Sequence, residues 1–398
     1  MGPVLLHRKS VTGLYLHVPY CTVRCSYCDF YLVPAARGRD LEPFAAALTA
    51  EIAAAGRRQP GCAADTIHFG GGTPSRLGAG TLARLLTALR AAFEVAPGAE
   101  IAIEANPEDL DRSGAAALVE AGFDRVALGI QTFDDALLRV LRRPHDAATA
   151  AEAIDAARGA GFRSVAADLI LGLPGQDEAR ALAEVARLAD AGVDHVSLYL
   201  LETHDRTRLG REVALRRRIL PDADRVADLY EGAADLLEGR GFEHYEISNF
   251  SRPGHRSRHN LKYWTDEDYL GFGPAAHSRR GTSRWANAAD LAAYLSSGGA
   301  PGIVSDDRSA AMRGLEALIT GLRLLEGVDL LNLAARHDAG IPAPADPLLG
   351  LLAADGLVAI DGARLRLTRR GRLVSNEIFE RLLPEARAGD PEPARQFT

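Results

Sequence analysis

Apolar, β-rich runs recur along the first 200 residues, each followed by a longer Ala/Leu/Arg stretch with helical spacing. Six of them are predicted strands: GLYLHVP (13–19), DTIHFGG (65–71), EIAIEAN (100–106), DRVALGI (124–130), SVAADLILGL (164–173) and DHVSLYLL (194–201). Helices are predicted near 41–57, 80–93, 112–121, 147–160, 177–191 and 222–240. The EVAPGA segment ahead of the third strand is predicted to be a short turn. Strand–helix units in succession imply an α/β protein with a parallel sheet and right-handed crossovers. Six units fall short of the eight that close a TIM barrel, so a partial (β/α)6 barrel is expected, with a doubly wound sheet as the alternative.

After residue 240 this rhythm breaks down. FEHYEISNFSRPG and HNLKYWTDEDYLGFGPAAHS are rich in aromatics and suggest strand, loop and return. The expected division is a barrel over 1–300, carrying this extension at about 242–285, and a small C-terminal domain over 301–398. Helices near 310–325 and 328–336, a hairpin turning at Asp361-Gly362 and a closing helix give the C-terminal domain a winged-helix-like pattern.

In either parallel architecture the C-terminal ends of the strands form the site, and here those ends are chemically loaded. The first strand runs into Cys21, Cys25 and Cys28, and the second into Gly70-Gly71-Gly72-Thr73-Pro74. The third ends at Glu104 and Asn106, the fourth at Gln131, and Asp168 lies within the fifth. Glu104, Gln131 and Asp168 put polar groups on otherwise apolar strands, which suggests one shared ligand. Arg143, twelve residues beyond Gln131, is placed to pair with a carboxylate, although nearby Arg139 and Arg142 also fit a solvated basic face.

Composition narrows the chemistry. The 398 residues are 47% hydrophobic and 25% charged with a net charge of −7, as in an ordinary soluble protein. Only Lys9 and Lys262 are lysines; no Gly-Lys-Ser/Thr triplet exists, so a P-loop is excluded and Schiff-base chemistry is disfavoured. Three of the four cysteines fall within eight residues, which points to a metal site in a reducing compartment. No signal-peptide stretch opens the chain and no run nears the roughly 18 apolar residues of a membrane span, so a cytoplasmic protein is expected.

The cysteines are spaced Cys-x3-Cys-x2-Cys in HVPYCTVRCSYCDF. Three thiolates on a short loop can hold three irons of a [4Fe–4S] cluster and leave the fourth iron open. An open iron can chelate the amino and carboxylate groups of S-adenosylmethionine, and an electron from the cluster can break the sulfonium C–S bond to give a 5′-deoxyadenosyl radical. Structural zinc is the competing reading, with His17 or Asp29 as fourth ligand. Cys62 is expected to be a bystander.

HVPYCTVRCSYCDF, HFGGGTPSRL, IEANPEDL, RVALGIQTF, ADLILGLPGQ and HYEISNFSRPG together resemble the oxygen-independent coproporphyrinogen oxidase-like family of radical S-adenosylmethionine proteins, over nearly the whole chain. The resemblance implies a partial (β/α)6 TIM-like barrel with a [4Fe–4S] cluster on Cys21, Cys25 and Cys28. It also implies S-adenosylmethionine contacts at Tyr15, Tyr27, Gly71, Gly72, Thr73, Glu104, Gln131, Arg143 and Asp168. The decarboxylating branch has a further cysteine where this chain has Phe30. His259-Asn260-Leu261-Lys262-Tyr263-Trp264 resembles the string associated with heme in the heme-chaperone branch, with His259 as the candidate iron ligand. A histidine among aromatics suits heme, although a hydrogen-bonded histidine beside core aromatics is the plainer reading. His277 is a second candidate, nearer the adenosyl site.

The expected function is therefore a heme chaperone that hands heme to acceptor proteins, respiratory enzymes among them. The alternative is an oxygen-independent coproporphyrinogen III dehydrogenase. Service to respiratory enzymes would bring the protein to a membrane surface, yet no amphipathic signature accompanies that role. Arg364, Arg366, Arg369, Arg370 and Arg372 crowd the wing, but with a negative overall charge no nucleic-acid partner is expected.

Overall fold

The computed structural model describes residues 11–36, 38–306, 308–337 and 339–383. Six parallel strands form its centre: β1 (Val11–Val18), β2 (Ala63–Gly71), β3 (Glu94–Ala105), β4 (Arg125–Gln131), β5 (Ser164–Leu171) and β6 (His195–Leu200). They lie side by side in chain order, each parallel to the next. The sheet does not close on itself. The free side of β6 takes β7 (Asn249–Ser251) antiparallel, and that of β1 takes β8 (Tyr269–Phe272) parallel. A meander of β9 (His277–Arg280), β10 (Ser283–Asn287) and β11 (Ile303–Ser305) continues from β8. This is the partial (β/α)6 barrel, and the doubly wound alternative falls away.

The crossover helices run Glu42–Arg58, Ala79–Ala92, Arg112–Ala121, Ala147–Ala160, Glu178–Asp190 and Ala223–Gly239. Aspartates start several of them: Asp111, Asp146 and Asp177 accept from backbone N–H groups two or three residues into their helices, satisfying donors that a helix start leaves open. Leu82, Leu85, Leu86 and Leu89 on the second helix show the apolar stripe that pins these helices to the strands.

Two expectations need correction. EVAPGA is not a turn before β3 but part of it: Glu94 and Val95 pair with Ala63 and Ala64, and pairing resumes at Thr66 with Glu100. Ala96–Ala99 therefore bulge out opposite Asp65, with Gly98 at φ 72° allowing the bend that Pro97 starts. HNLKYW is helical, not a strand: Arg258–Trp264 forms a seven-residue helix in which His259 and Lys262, three apart, are both buried. One face of a helix turns inward there, where an aromatic-rich sequence suggested strand, loop and return.

Two compact units emerge, and both are discontinuous in sequence. Among the described residues the first comprises those within 11–243, 248–259 and 268–306; the second comprises those within 244–247, 260–267 and 308–383. Within the second, helices Ala310–Gly321, Leu330–Arg336, Pro347–Ala354 and Ser375–Leu382 surround a hairpin of Val358–Asp361 and Arg364–Leu367. Leu315, Leu318, Leu349, Leu352, Leu365 and Ile378 form its own core. The hairpin turns at Gly362 with φ 59°, as Asp361-Gly362 predicts.

Candidate functional site

The interior face of the barrel is laid out by the pleat. Directly paired residues of parallel strands share a face, so Tyr15 lies beside His68 and Ala102, and Thr66 beside Glu100. Alternation then places His17, Gly70 and Glu104 one layer nearer the strand C-termini. Ala127 and Gly129 continue the face on β4, and Ala166 and Asp168 on β5, so small residues line much of it.

The cysteine loop leaves β1 at this end. Tyr20 and Cys21 pair with Val33 and Pro34, which closes the loop at its base. Arg24 donates to the carbonyls of Phe30 (3.3 Å) and Leu32 (2.9 Å). Buried Ser26 ties the loop to distant chain: its N–H and hydroxyl reach the carbonyls of Leu141 and Val140, and its own carbonyl accepts from Leu209 N–H at 2.8 Å. Asp29 is clamped by the Arg206 guanidinium. Tyr27 packs against Leu137, Leu141, Ile170, Leu173 and Leu209, and burial raises its phenol well above the ordinary value.

Each loop sulfur faces one donor. The Thr73 hydroxyl lies 3.3 Å from Cys21 Sγ, Arg143 Nη1 lies 3.6 Å from Cys25 Sγ, and the Phe30 backbone N–H meets Cys28 Sγ. Burial pushes the Cys21 thiol up and the Cys28 thiol up to about 11. Burial outweighs the nearby arginines and favours the protonated thiols; a cationic metal core would supply the missing charge, and the facing donors would then stabilise thiolates. The donor set thus fits an iron–sulfur group. Among the described residues no three His, Cys, Asp or Glu side chains converge on one ion position. The two side chains considered as a fourth zinc ligand are otherwise engaged: His17 spans the Tyr15 hydroxyl and the Tyr31 carbonyl, and Asp29 holds Arg206. Cys62 precedes β2, at the opposite end of the strands, with Thr12 as its neighbour.

The triple glycine is dictated by the protein's own packing. A Cβ at Gly70 would sit 2.9 Å from Glu104 Oε1, one at Gly71 2.7 Å from the His17 ring, and one at Gly72 2.8 Å from the Tyr20 carbonyl. Gly71, at φ 107°, also needs a backbone conformation closed to other residues. The turn therefore brings strand β2 hard against the cysteine loop and delivers Thr73 to Cys21.

Around it stand the polar groups from the other strand ends. Glu104 accepts from His68 Nε2 (3.0 Å) and from Gly71 N–H (3.3 Å). Gln131 ends β4 at φ 70°, strained for a residue with a side chain, while Thr132 N–H closes back on the Ile130 carbonyl. Arg143 Nη2 donates to Asn106 Oδ1 and the Gly129 carbonyl, both at 2.6 Å, and a Cβ at Gly129 would crowd that guanidinium at 3.2 Å. Arg143 is thus turned in among the strand ends beside the cysteine loop and is not part of a solvated basic face. Burial raises the Asp168 carboxyl to about 6 despite the Ser197 hydroxyl that bonds to it.

His259 sits deeper. Its ring is 1% exposed, its Nδ1 meets the Thr66 hydroxyl at 2.9 Å, and its backbone N–H donates to Glu100 at 3.1 Å. It stacks on His68 with ring centroids 5.1 Å apart, and both lie beside Tyr15. In this arrangement His259 is buried and not open to a planar cofactor. His277, on β9, is exposed. Sequence reasoning missed Asn106 as a partner of Thr73 and Arg143, and His68 as the holder of Glu104. The polar histidine between Ile67 and Phe69 was the available signal for the second.

A parallel partial barrel with a three-cysteine loop at its strand C-termini defines a radical S-adenosylmethionine protein, and residues 15–186 match the Radical SAM superfamily. Residues 309–374 match the HemN C-terminal domain. The proteins named heme chaperone HemW from Mycobacterium tuberculosis and Bacillus subtilis are 38% and 31% identical, each over 93% of this chain and over 94% and 99% of their own lengths. The solved coproporphyrinogen III oxidase (HemN) of Escherichia coli, a radical SAM enzyme, shares the fold with a TM-score of 0.80 at 24% identity, over 94% of this chain and 90% of that one. The chain belongs to the HemN-like radical SAM family, in its HemW branch.

Proposed function

We propose that the protein is a heme chaperone that binds heme and passes it to acceptor proteins, respiratory enzymes among them, from the cytoplasm. The observation that carries this reading is the near full-length relation to proteins named heme chaperones, at up to 38% identity. Phe30 supports it: where the decarboxylating branch has a further cysteine, this chain has a phenyl ring that is 61% exposed. The relation to the oxidase is one of fold, which does not by itself carry an activity.

In this reading Cys21, Cys25 and Cys28 hold a [4Fe–4S] cluster. Tyr15, Tyr27, Gly71, Gly72, Thr73, Glu104, Gln131, Arg143 and Asp168 form the S-adenosylmethionine pocket. When bound, the pair supplies one-electron cleavage of a sulfonium C–S bond. The chain's own contributions follow from its chemistry. Glu104, fixed by His68 and Gly71, presents a carboxylate for an ammonium group, and Arg143 is a permanent cation for a carboxylate. Tyr27 and its apolar neighbours keep water from the sulfurs on the Leu209 side. His259 is the candidate for heme iron and would act once its buried surroundings open. No helix among the described residues is long and apolar enough to cross a membrane, so contact with a membrane-bound acceptor would be peripheral.

The test uses the anaerobically reconstituted protein. Stoichiometric heme uptake with a new Soret band, transfer to an apo-acceptor, and no conversion of coproporphyrinogen III are expected. Turnover of coproporphyrinogen III to protoporphyrinogen without heme uptake would establish the alternative instead.

A further inference from the structure

One side chain at the site belongs to none of the groups considered above. Asn106, just beyond β3, lies between Thr73 and Arg143. The direction of each hydrogen bond is fixed by elimination. A guanidinium only donates, so the Asn106 oxygen faces Arg143 at 2.6 Å and its NH2 group faces Thr73 Oγ1 at 3.1 Å. Thr73 Oγ1, receiving that donor, has its single proton left for Cys21 Sγ at 3.3 Å. At the other end Arg143 directs Nη1 to Cys25 Sγ at 3.6 Å. Both hydrogens of Arg143 Nη2 are taken by Asn106 and by the Gly129 carbonyl, so the guanidinium plane is locked. The result is an unbroken arc, Cys21–Thr73–Asn106–Arg143–Cys25, joining two sulfurs of the loop through one amide. Cys28 is outside it and takes its donor from the Phe30 backbone.

We propose that Asn106 is the positioning residue of this arc: it orients the Thr73 hydroxyl and the Arg143 guanidinium together, and through them sets the reduction potential of the cluster. The proposal rests on the reading that the cysteines hold an iron–sulfur cluster. Hydrogen bonds to cluster sulfurs stabilise the more negative, reduced state. Without the amide, Thr73 is free to turn its proton elsewhere and Arg143 loses one of the two acceptors that fix its plane. Both sulfurs then lose donation at once, which no single cysteine-facing residue achieves.

The experiment is an EPR-monitored redox titration of reconstituted protein, with iron and sulfide counted in each sample. Asn106→Ala and the milder Asn106→Ser are compared with Thr73→Val and with Asn106→Ala combined with Thr73→Val. Asn106→Ala is expected to keep its cluster and to weaken one-electron reduction about tenfold, a fall of about 59 mV. Because Asn106 acts partly through Thr73, the double variant is expected to shift by less than the sum of the two single shifts. Thr73→Ser, which keeps the hydroxyl, is expected to restore the wild-type potential. A full cluster with an unchanged potential in both Asn106 variants would overturn the proposal, as would strictly additive shifts. A wild-type protein that takes up no iron overturns the cluster reading itself, and that result is separate because it precedes any variant.

Discussion

The imidazole of His259 lies 17° from parallel to that of His68, with the ring centroids 5.1 Å apart. His68 in turn holds Glu104, which receives the N–H of Gly71. The candidate heme string therefore begins with a residue packed beneath the candidate adenosyl pocket.

If heme iron is taken by His259 through Nδ1, the hydrogen bond of that nitrogen to the Thr66 hydroxyl is given up. In Thr66→Val that bond is already gone, and a buried imidazole nitrogen deprived of it is destabilised by about 1–3 kcal/mol. The variant is expected to bind heme about tenfold more tightly or better, read by Soret titration. Unchanged affinity would point to an axial ligand other than His259 Nδ1.

Asp168 carries a carboxyl whose folded value, about 6, lies above the ordinary 3.8. Its contribution to stability is fully present below about 3.8 and is lost as pH rises through about 6. Asp168→Asn keeps the shape and removes the charge. It is expected to stabilise the ligand-free protein by about 1–3 kcal/mol at pH 7.5 and by little at pH 4, the lower figure reflecting partial exposure. Paired urea titrations at the two pH values check the sign.

Gly72→Ala would drive a Cβ to 2.8 Å from the Tyr20 carbonyl and 2.9 Å from that of Val18. Neither backbone atom can yield without moving the cysteine loop. A loss of about 1–3 kcal/mol is expected, together with reduced iron uptake on reconstitution. Gly80→Ala, in open space on a helix, is the control and should leave both unchanged.

In the C-terminal unit, burial and the nearby Arg372 lower His244 from 6.5 to about 3. The stability it supports is present above 6.5 and drains away as pH falls toward 3, because the unfolded chain takes the proton first. Replacing it by Gln should flatten the acid limb of the thermal unfolding profile between pH 6.5 and 4.

How much of this could be read from the chain follows the range of the forces involved. Strand and helix periodicity is local, and the six units stand where the apolar runs put them. The Cys-x3-Cys-x2-Cys loop and the glycine turn are local too. Asn106 was visible as a polar strand end, but its role depends on Thr73 and Arg143, which lie 33 and 37 residues away. His259 is a ligand candidate through the resemblance of its string, whereas its packing neighbours, Tyr15 on β1 and Thr66 and His68 on β2, lie more than 190 residues earlier and leave no local signal. EVAPGA was misread for a related reason. Pro-Gly ordinarily breaks a strand, and only pairing with Ala63 and Ala64 carries the strand through it.

The ties of Ser26 and Asp29 set a timetable for synthesis. All three loop cysteines are in place once residue 28 is made, yet the anchors at Leu209 and Arg206 are encoded about 180 residues later. At about 5–20 residues per second a nascent chain would expose three unshielded thiols for roughly 10–40 s before the loop can be fastened. If the loop holds a cluster, its loading would follow synthesis of the sixth strand and the anchors just beyond it, and in the interval those thiols are open to oxidants and stray metal ions.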